Sequence, residues 1–300
     1  MKVVFGPVSS RRFGRSLGID LSPSKKQCNF DCVYCELEAK KAQEKQDEII
    51  EVAQIISEVQ MTMDKGIEFD FLTLTANGEP SLYPHLDELI NSLRQIVENK
   101  KLLILSNGTA VLDQNKFQSL LKLDVVKFSL DSAISKTFYR IDRALKNINL
   151  ELMIQKMAEF KIKFQGDLVM EILVVKDLND NEEEFIALNE ALATISPTRI
   201  DLSTIDRPPS YPVKSIDEEK LYELSKLITC APVFLAKRNY KEQKLDLNKE
   251  ELLKFLHLRA QSQIDVEHTF SESSKILLQK LIQKNEVKII DLVGIRFYKT

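Results

Sequence analysis

Cys28-Asn-Phe-Asp-Cys32-Val-Tyr-Cys35 places three thiols within eight residues, spaced C-x3-C-x2-C. The run follows a strand-like apolar segment, 17–21, and a turn containing Pro23. Thiols gathered on one loop are a metal-binding arrangement, and the ligand count restricts the metal. A closed structural zinc site takes four nitrogen or sulfur ligands, and an ordinary iron–sulfur cubane takes four thiolates. No fourth ligand stands nearby: the remaining cysteine is Cys230, and the three histidines, His85, His257 and His268, are all distant in sequence. A [4Fe–4S] cluster held by only three cysteines leaves one iron open to a substrate or cofactor. A structural zinc is the competing reading, and it has to draw its fourth ligand from elsewhere.

Around this motif the chain has ordinary globular character. Its 300 residues suffice for one large α/β domain, or for one domain with a small appendage. Hydrophobic residues at 44% and charged residues at 29% fit a water-soluble fold. The net charge of −3 gives no global pull toward nucleic acid or an acidic membrane surface, so any such partner has to be met by a local basic patch. The N-terminal Lys2-Val-Val-Phe5 is broken at once by Gly6-Pro7, and no apolar run reaches membrane-spanning length, so a cytoplasmic protein without a membrane partner is expected. Four cysteines, three of them clustered, do not make a disulfide framework. Cys230, near the end of an expected helix, reads as a small buried apolar residue.

Apolar runs of strand length at 17–21, 69–75, 102–106, 125–130, 168–175 and 199–205 alternate with helical patterns near 47–64, 84–98, 114–122, 149–161, 182–194 and 217–229. That alternation is the βα rhythm of a parallel sheet, and the almost wholly apolar 168–175 suits a strand covered on both faces. The stretch 36–51 reads as a solvated helix and loop, and Asp180-Asn-Glu-Glu-Glu184 as a helix start whose acids suit the N-terminal dipole. Arg207-Pro-Pro-Ser-Tyr-Pro212 reads as a stiff exit from the sheet. Beyond it, helical patterns at 249–258, 262–268 and 271–284 precede two strands about a turn near Gly294, the order of a winged helix. The expected division is residues 1–236 and 237–300. The tail carries nine Lys/Arg against eight Asp/Glu between 246 and 300, a weak charge bias for a DNA reader.

The cysteine run, with an aromatic before the last thiol, resembles the radical S-adenosylmethionine (SAM) superfamily. With its flanks, Phe5-Gly-Pro-Val-Ser-Ser-Arg-Arg-Phe-Gly-Arg-Ser-Leu-Gly-Ile-Asp20 and Glu36, it looks like the bacterial branch related to wyosine-type tRNA-modifying enzymes. The resemblance implies a partial (βα)6 barrel of TIM type followed by the winged-helix-like tail, with the chemistry at the C-terminal ends of the strands. It implies Cys28, Cys32 and Cys35 as ligands of a [4Fe–4S] cluster, with SAM chelating the open iron, and Tyr34 beside the adenine. Asn77-Gly78-Glu79-Pro80 is similar to the superfamily's glycine–glutamate motif at the methionine amino group, although Asn-Gly is also a common turn dipeptide. Ser106, Asn107, Ser129 and Asp131 match positions that hold the ribose and the carboxylate, with helix capping by Asp131 or Ser132 as the alternative. Glu171 is either a salt-bridged core residue or part of the pocket.

Arg11, Arg12 and Arg15 lie before the first strand, and Arg207 follows the last. With those strands as the open edges, the four arginines would converge on an anionic substrate, RNA among them; solvated surface pairs are the alternative. The implied activity is reductive cleavage of SAM and hydrogen abstraction from a substrate, fed by an electron donor such as flavodoxin or ferredoxin. The wyosine enzymes carry further cysteines that this chain lacks, which points away from synthesis of a tricyclic base. Two other classes fit the same motifs. One is an iron–sulfur redox sensor that binds DNA through the tail, and the other is a protein adaptor on a barrel without catalysis.

Overall fold

The apolar runs pair side by side in the order in which they occur. A computed structural model describes residues 3–10, 13–97, 99–235, 244–258, 260–292 and 295–300. Eight strands form one sheet: β1 (Val4–Ser10), β2 (Gly14–Asp20), β3 (Phe71–Thr75), β4 (Lys101–Ser106), β5 (Val125–Ser129), β6 (Asp167–Val174), β7 (Arg199–Thr204) and β8 (Val233–Leu235). From β2 to β8 every pair is parallel, and β1 is antiparallel to β2. Parallel neighbours need crossovers, which α1 (Val52–Asp64), α2 (Leu86–Ile96), α3 (Gln114–Leu120), α4 (Ser135–Ile141), α5 (Leu150–Lys163), α6 (Glu182–Ile195) and α7 (Glu218–Ser225) supply. The result is an open α/β barrel: the described sheet ends at β1 and β8 without closing.

The six expected strands are present, and two more were not foreseen. Gly6-Pro7 interrupts β1, whose register shifts between Phe5 and Val8; an edge strand tolerates that loss of a donor. Strand β8 has three residues, too few for periodicity to register. Their presence moves the open edges outward, so β2 and β7 are interior strands. Helix α4 also escaped the pattern, at seven residues. The acidic run starts α6 as expected, with Asn181 accepting from Glu184 N at 3.1 Å.

The stretch 36–51 is a loop throughout, and α1 begins only at Val52. Buried Gln27 takes the place of helical hydrogen bonding there. Its Oε1 accepts from Asp47 N (2.8 Å) and Glu48 N (3.1 Å), and its Nε2 donates to Glu48 O (3.0 Å). A buried side-chain amide can satisfy backbone groups that would otherwise demand regular structure.

The tail has its own apolar core, with Leu252, Leu256, Val266, Phe270, Leu278, Leu281 and Val287 buried together. Helix α8 (Lys249–Leu258), strand β9 (Gln261–Ser262), helices α9 (Gln263–Thr269) and α10 (Glu272–Gln283), and the pair β10 (Lys288–Leu292) and β11 (Ile295–Lys299) follow in sequence. The strands form an antiparallel sheet in the order β10-β11-β9. The expected boundary at 236/237 and the turn at Gly294 lie outside the described residues.

Candidate active site

The cysteine loop leaves the C-terminal end of β2 and is fastened on three sides. On the β3 side, Gln27 pairs with Gly78 as a short parallel bridge: Gln27 N donates to Asn77 O and Glu79 N to Gln27 O, both at 2.9 Å. Asp20 Oδ1 accepts from Asn77 N (2.9 Å) and Ser22 N (3.0 Å), tying the exit of β2 to the same segment. Gly78 has φ +134°, and a Cβ there would lie 2.0 Å from Gln27 O. The sequence suggested that this glycine admits a ligand. Its first duty is to admit the backbone of the cysteine loop itself.

On the other side, the end of α4 and the chain after it run along the loop. Asp31 N donates to Asp142 O (3.1 Å), Val33 N to Ile141 O (2.8 Å) and Leu145 N to Asn29 O (3.2 Å). Across the top comes the segment after β7, which turns back onto the loop instead of leading away. Ser210 N donates to Cys35 O (2.9 Å), Ser210 Oγ to Leu37 O, and Tyr211 Oη to Asp31 Oδ2 (2.6 Å).

Within this frame lies a cavity of about 220 Å³. Cys28, Cys32 and Cys35 form one wall, and Gly78, Glu79, Ser106, Asn107 and Ser129 come from the ends of β3, β4 and β5. Glu79 is buried, with its carboxylate accepting from Asn107 N (2.7 Å) and Ser81 N (2.9 Å). Burial raises its pKa, opposed by those donors. Deeper along the strands lies a charged ladder that the sequence only hinted at. Strand alternation puts Lys127 and Ser129 on one face, and register aligns Ser129, Glu171 and Asp201. Lys127 Nζ is 2.6 Å from Glu171 Oε1 and 3.4 Å from Asp201 Oδ2. Glu171 is therefore both ion-paired and cavity-lining. A lysine inside the otherwise apolar β5 was the available signal for this ladder.

Three expected contacts fall outside the cavity lining. Tyr34 Oη donates to Asp131 Oδ2 at 2.5 Å, and Asp131 Oδ1 accepts from Leu173 N at 2.7 Å, so the two side chains join the loop to the sheet. Burial pushes Asp131 up to about 6. Asn77 is buried at the bridge described above, with its N–H on Asp20. Neither Asp131 nor Ser132 caps α4, whose N-cap position is Ile134.

Arg15 and Arg207 do not converge. Arg15 sits at the start of β2, opposite the end where the cavity opens, and its N–H donates to Asp70 Oδ2 at 2.7 Å, with Glu68 3.5 Å from its guanidinium. Arg11 and Arg12 lie outside the described residues. Arg207 is buried and turned toward the tail: it donates to Ala260 O and stands 3.5 Å from Asp265 and 3.7 Å from Glu36. Position before a strand and position after one are opposite ends of a parallel sheet, which is why Arg15 and Arg207 do not meet. Arg207 instead joins barrel, cysteine loop and tail. Arg207→Ala should remove the buried cation that stands near both Asp265 and Glu36, costing about 3–5 kcal/mol. Limited proteolysis near residue 244 should then accelerate; an unchanged cleavage rate would show that the tail is held by other contacts.

The chemistry of the donor set bears on what the thiols hold. Burial pushes the Cys28 thiol up to about 12, with Glu79 adding to the effect. Burial and the neighbouring Asp142 push Cys32 well above the ordinary thiol range. Bare thiolates are thus disfavoured here, and a bound cation has to supply the compensation. Burial opposes the Lys26 ammonium as well, but Cys35, Cys28 and Asp31 more than offset it and hold its pKa above the usual lysine value. Among the described residues, no three His, Cys, Asp or Glu side chains converge on a point where a single metal ion would sit. Three thiols on one cavity wall supply one ligand fewer than the four of a closed tetrahedral zinc site, and suit a cluster with one open iron.

An open parallel barrel with three cysteines on the loop after its first parallel strand defines the class, and comparison with known families agrees. The family model described as the radical SAM superfamily matches residues 23–188. The chain belongs to the radical SAM superfamily, whose enzymes use a [4Fe–4S] cluster and SAM. It is 39% identical to a UPF0026 protein of Helicobacter pylori, across 99% of this chain and 97% of that one. A UPF0026 protein of Methanocaldococcus jannaschii is 30% identical, across 80% of this chain and 74% of that one. Among solved structures, a radical SAM methyltransferase from Sphaerobacter thermophilus shares the fold with a TM-score of 0.54 at 13% identity, covering 73% of this chain and 66% of that one.

Proposed function

We propose that Cys28, Cys32 and Cys35 hold a site-differentiated [4Fe–4S] cluster whose open iron receives the amino and carboxylate groups of SAM. The observation that carries this reading is the shared cavity, with three thiols on one wall facing Glu79, Ser106, Asn107 and Ser129 on the other. When bound and reduced, the cluster supplies one electron to the SAM sulfonium, so that methionine leaves and a 5′-deoxyadenosyl radical takes hydrogen from a substrate. Glu79, immobilised by two backbone donors, offers a fixed acceptor for the methionyl ammonium. Ser106, Asn107 and Ser129 offer hydroxyl and amide partners to the carboxylate and ribose.

The cavity's own charges, Lys127 and Glu171, favour a substrate group with both acceptors and donors. A nucleobase meets that requirement, and a tRNA base is the substrate to test first. Anaerobic protein with dithionite and SAM should release 5′-deoxyadenosine, and nucleosides from tRNA should differ between cells with and without the gene. Intact SAM under those conditions would overturn the assignment, and unchanged nucleosides would exclude the tRNA substrate alone.

We also read residues 237–300 as a winged-helix-like unit with a separate core. Helix α10 stands in the recognition position, yet Lys275 is paired with Glu272 at 2.7 Å, and the tail meets the barrel through Arg207–Asp265 and through Lys299 Nζ donating to Glu36 O. These contacts favour a cover over the cysteine loop, and none favours a DNA-binding regulator. A one-electron carrier of the flavodoxin or ferredoxin kind and a cytoplasmic setting complete the reading; no helix among the described residues is long and apolar enough to cross a membrane.

A further inference from the structure

The wall behind the cluster loop is thin at one place, and that place carries concentrated positive charge. Asp142 is 3% exposed, and its Oδ1 lies 3.4 Å from Cys32 Sγ. The next residue, Arg143, is 42% exposed at its side chain, so one residue separates solvent from a thiol of the site. Three backbone hydrogen bonds, from Asp31, Val33 and Leu145, press this segment onto the loop. None of residues 135–147 lines the cavity.

Lys136, Arg140, Arg143 and Lys146 are all exposed, and the one acid among residues 136–146 is the buried Asp142. Lys41 and Lys45, also exposed, extend the patch. Their loop is joined to it by Asn147 Nδ2 donating to Glu44 Oε1 at 3.0 Å, and to the cysteine loop by Gln43 N donating to Cys28 O at 2.8 Å. The exposed acids nearby are Glu38, Glu44, Asp47, Glu48 and Glu151. Asp47 and Glu48 are paired with Lys25 (2.8 and 2.9 Å), Glu151 accepts from Ser135 Oγ (2.7 Å), and Arg143 stands 3.8 Å from Asp31, which leaves Arg140, Lys146, Lys41 and Lys45 as the core of the patch. That group of cations stands out in a chain with 42 Lys/Arg against 45 Asp/Glu. Arg143 is further fixed by stacking on Tyr211, 4.0 Å from its ring centroid, and adopts φ +46°, a conformation costly for a residue with a side chain.

We propose that the surface formed by Arg140, Arg143 and Lys146, with Lys41 and Lys45, is the docking site of an acidic one-electron carrier protein. The carrier gives up one electron and is oxidised by one; the cluster gains it, entering through Asp142 and Cys32. Opposite charge steers two proteins together and speeds encounter more than it tightens the complex. A nucleic acid would also favour basic charge, but an RNA substrate has to reach the cavity, and neither 135–147 nor Lys41 or Lys45 lines it.

The proposal rests on the cluster assignment above, and its test keeps the two apart. Arg140→Glu with Lys146→Glu changes two exposed side chains that take no part in the site. With reduced flavodoxin as the probe, stopped-flow bleaching of the reconstituted cluster should be roughly tenfold or more slower in the variant at low salt. The gap should close as salt is raised toward ~0.5 M, where screening is strong. Iron content and 5′-deoxyadenosine formation with excess dithionite, which needs no docking, should match the unaltered protein. Should the double variant fail to load its cluster, Arg140→Gln with Lys146→Gln is read in the same way, with a smaller expected slowing. Equal flavodoxin rates at low salt would overturn the proposal. So would unchanged rates with lost binding of bulk tRNA, which would make the patch a nucleic-acid surface. An unaltered protein that takes up no cluster would overturn the site assignment and this proposal together.

Discussion

Cys32→Ala should give a folded, colourless protein that leaves SAM intact. Reconstituted unaltered protein should be brown and carry about four irons per chain, whereas the variant should retain little iron after desalting. Two thiols cannot hold a cubane that already spends its fourth corner on SAM. Cys32 is the most informative of the three because it also contacts Asp142, at 3.4 Å, inside the packed seam between loop and α4. The substitution removes a small buried sulfur, so the melting temperature of the metal-free protein should move little. Cys230→Ala is the matching control. Cys230 packs against the barrel core, with its N–H 3.3 Å from Asn189 Oδ1, and its loss should leave iron and activity in place. A Cys32→Ala protein with normal iron content would remove Cys32 from the ligand set.

Gly78→Ala should damage both stability and cluster loading. The added Cβ would sit 2.0 Å from Gln27 O and 2.5 Å from Gln27 C, both backbone atoms that cannot swing aside. At φ +134° the alanine is strained even without that clash. Strain and overpacking together should cost about 2–4 kcal/mol, a fall of roughly 5–12 °C in the melting temperature. Relief requires breaking the Gln27–Gly78 bridge, and Gln27 is the residue that holds Asp47 and Glu48 and precedes Cys28. The iron per chain should therefore fall along with the melting temperature. A loss of SAM binding at full stability and full iron would assign Gly78 to the ligand instead of to the loop.

The two substitutions mark the line between what can be read along the chain and what cannot. The six parallel strands were legible because each is a short apolar run between amphipathic stretches, and the crossover requirement does the rest. Strands β1 and β8 were not: one is interrupted by Gly6-Pro7, and the other is shorter than a period of the pattern. Glu79, Ser106, Asn107 and Ser129 were legible as polar residues at strand ends, and they do line the cavity. Tyr34 and Asp131 sit at equally promising positions but bond to each other, because a buried phenol and a buried carboxylate lower each other's desolvation cost.

Spacing alone brought the three thiols together, since residues within one loop stay close in any fold. Periodicity alone determined the parallel sheet. The resemblance placed the candidate site at the C-terminal ends of the strands, where the cavity lies. Direction and partnership had to wait for the folded chain. Only there does Arg15 lie at the far end of the barrel, Arg207 turn toward Asp265 of the tail, and Asp142, 110 residues from Cys32, come to rest on its sulfur. Electrostatic and hydrogen-bond partners are chosen by distance in space, and a linear sequence carries no record of that distance beyond the reach of a single loop.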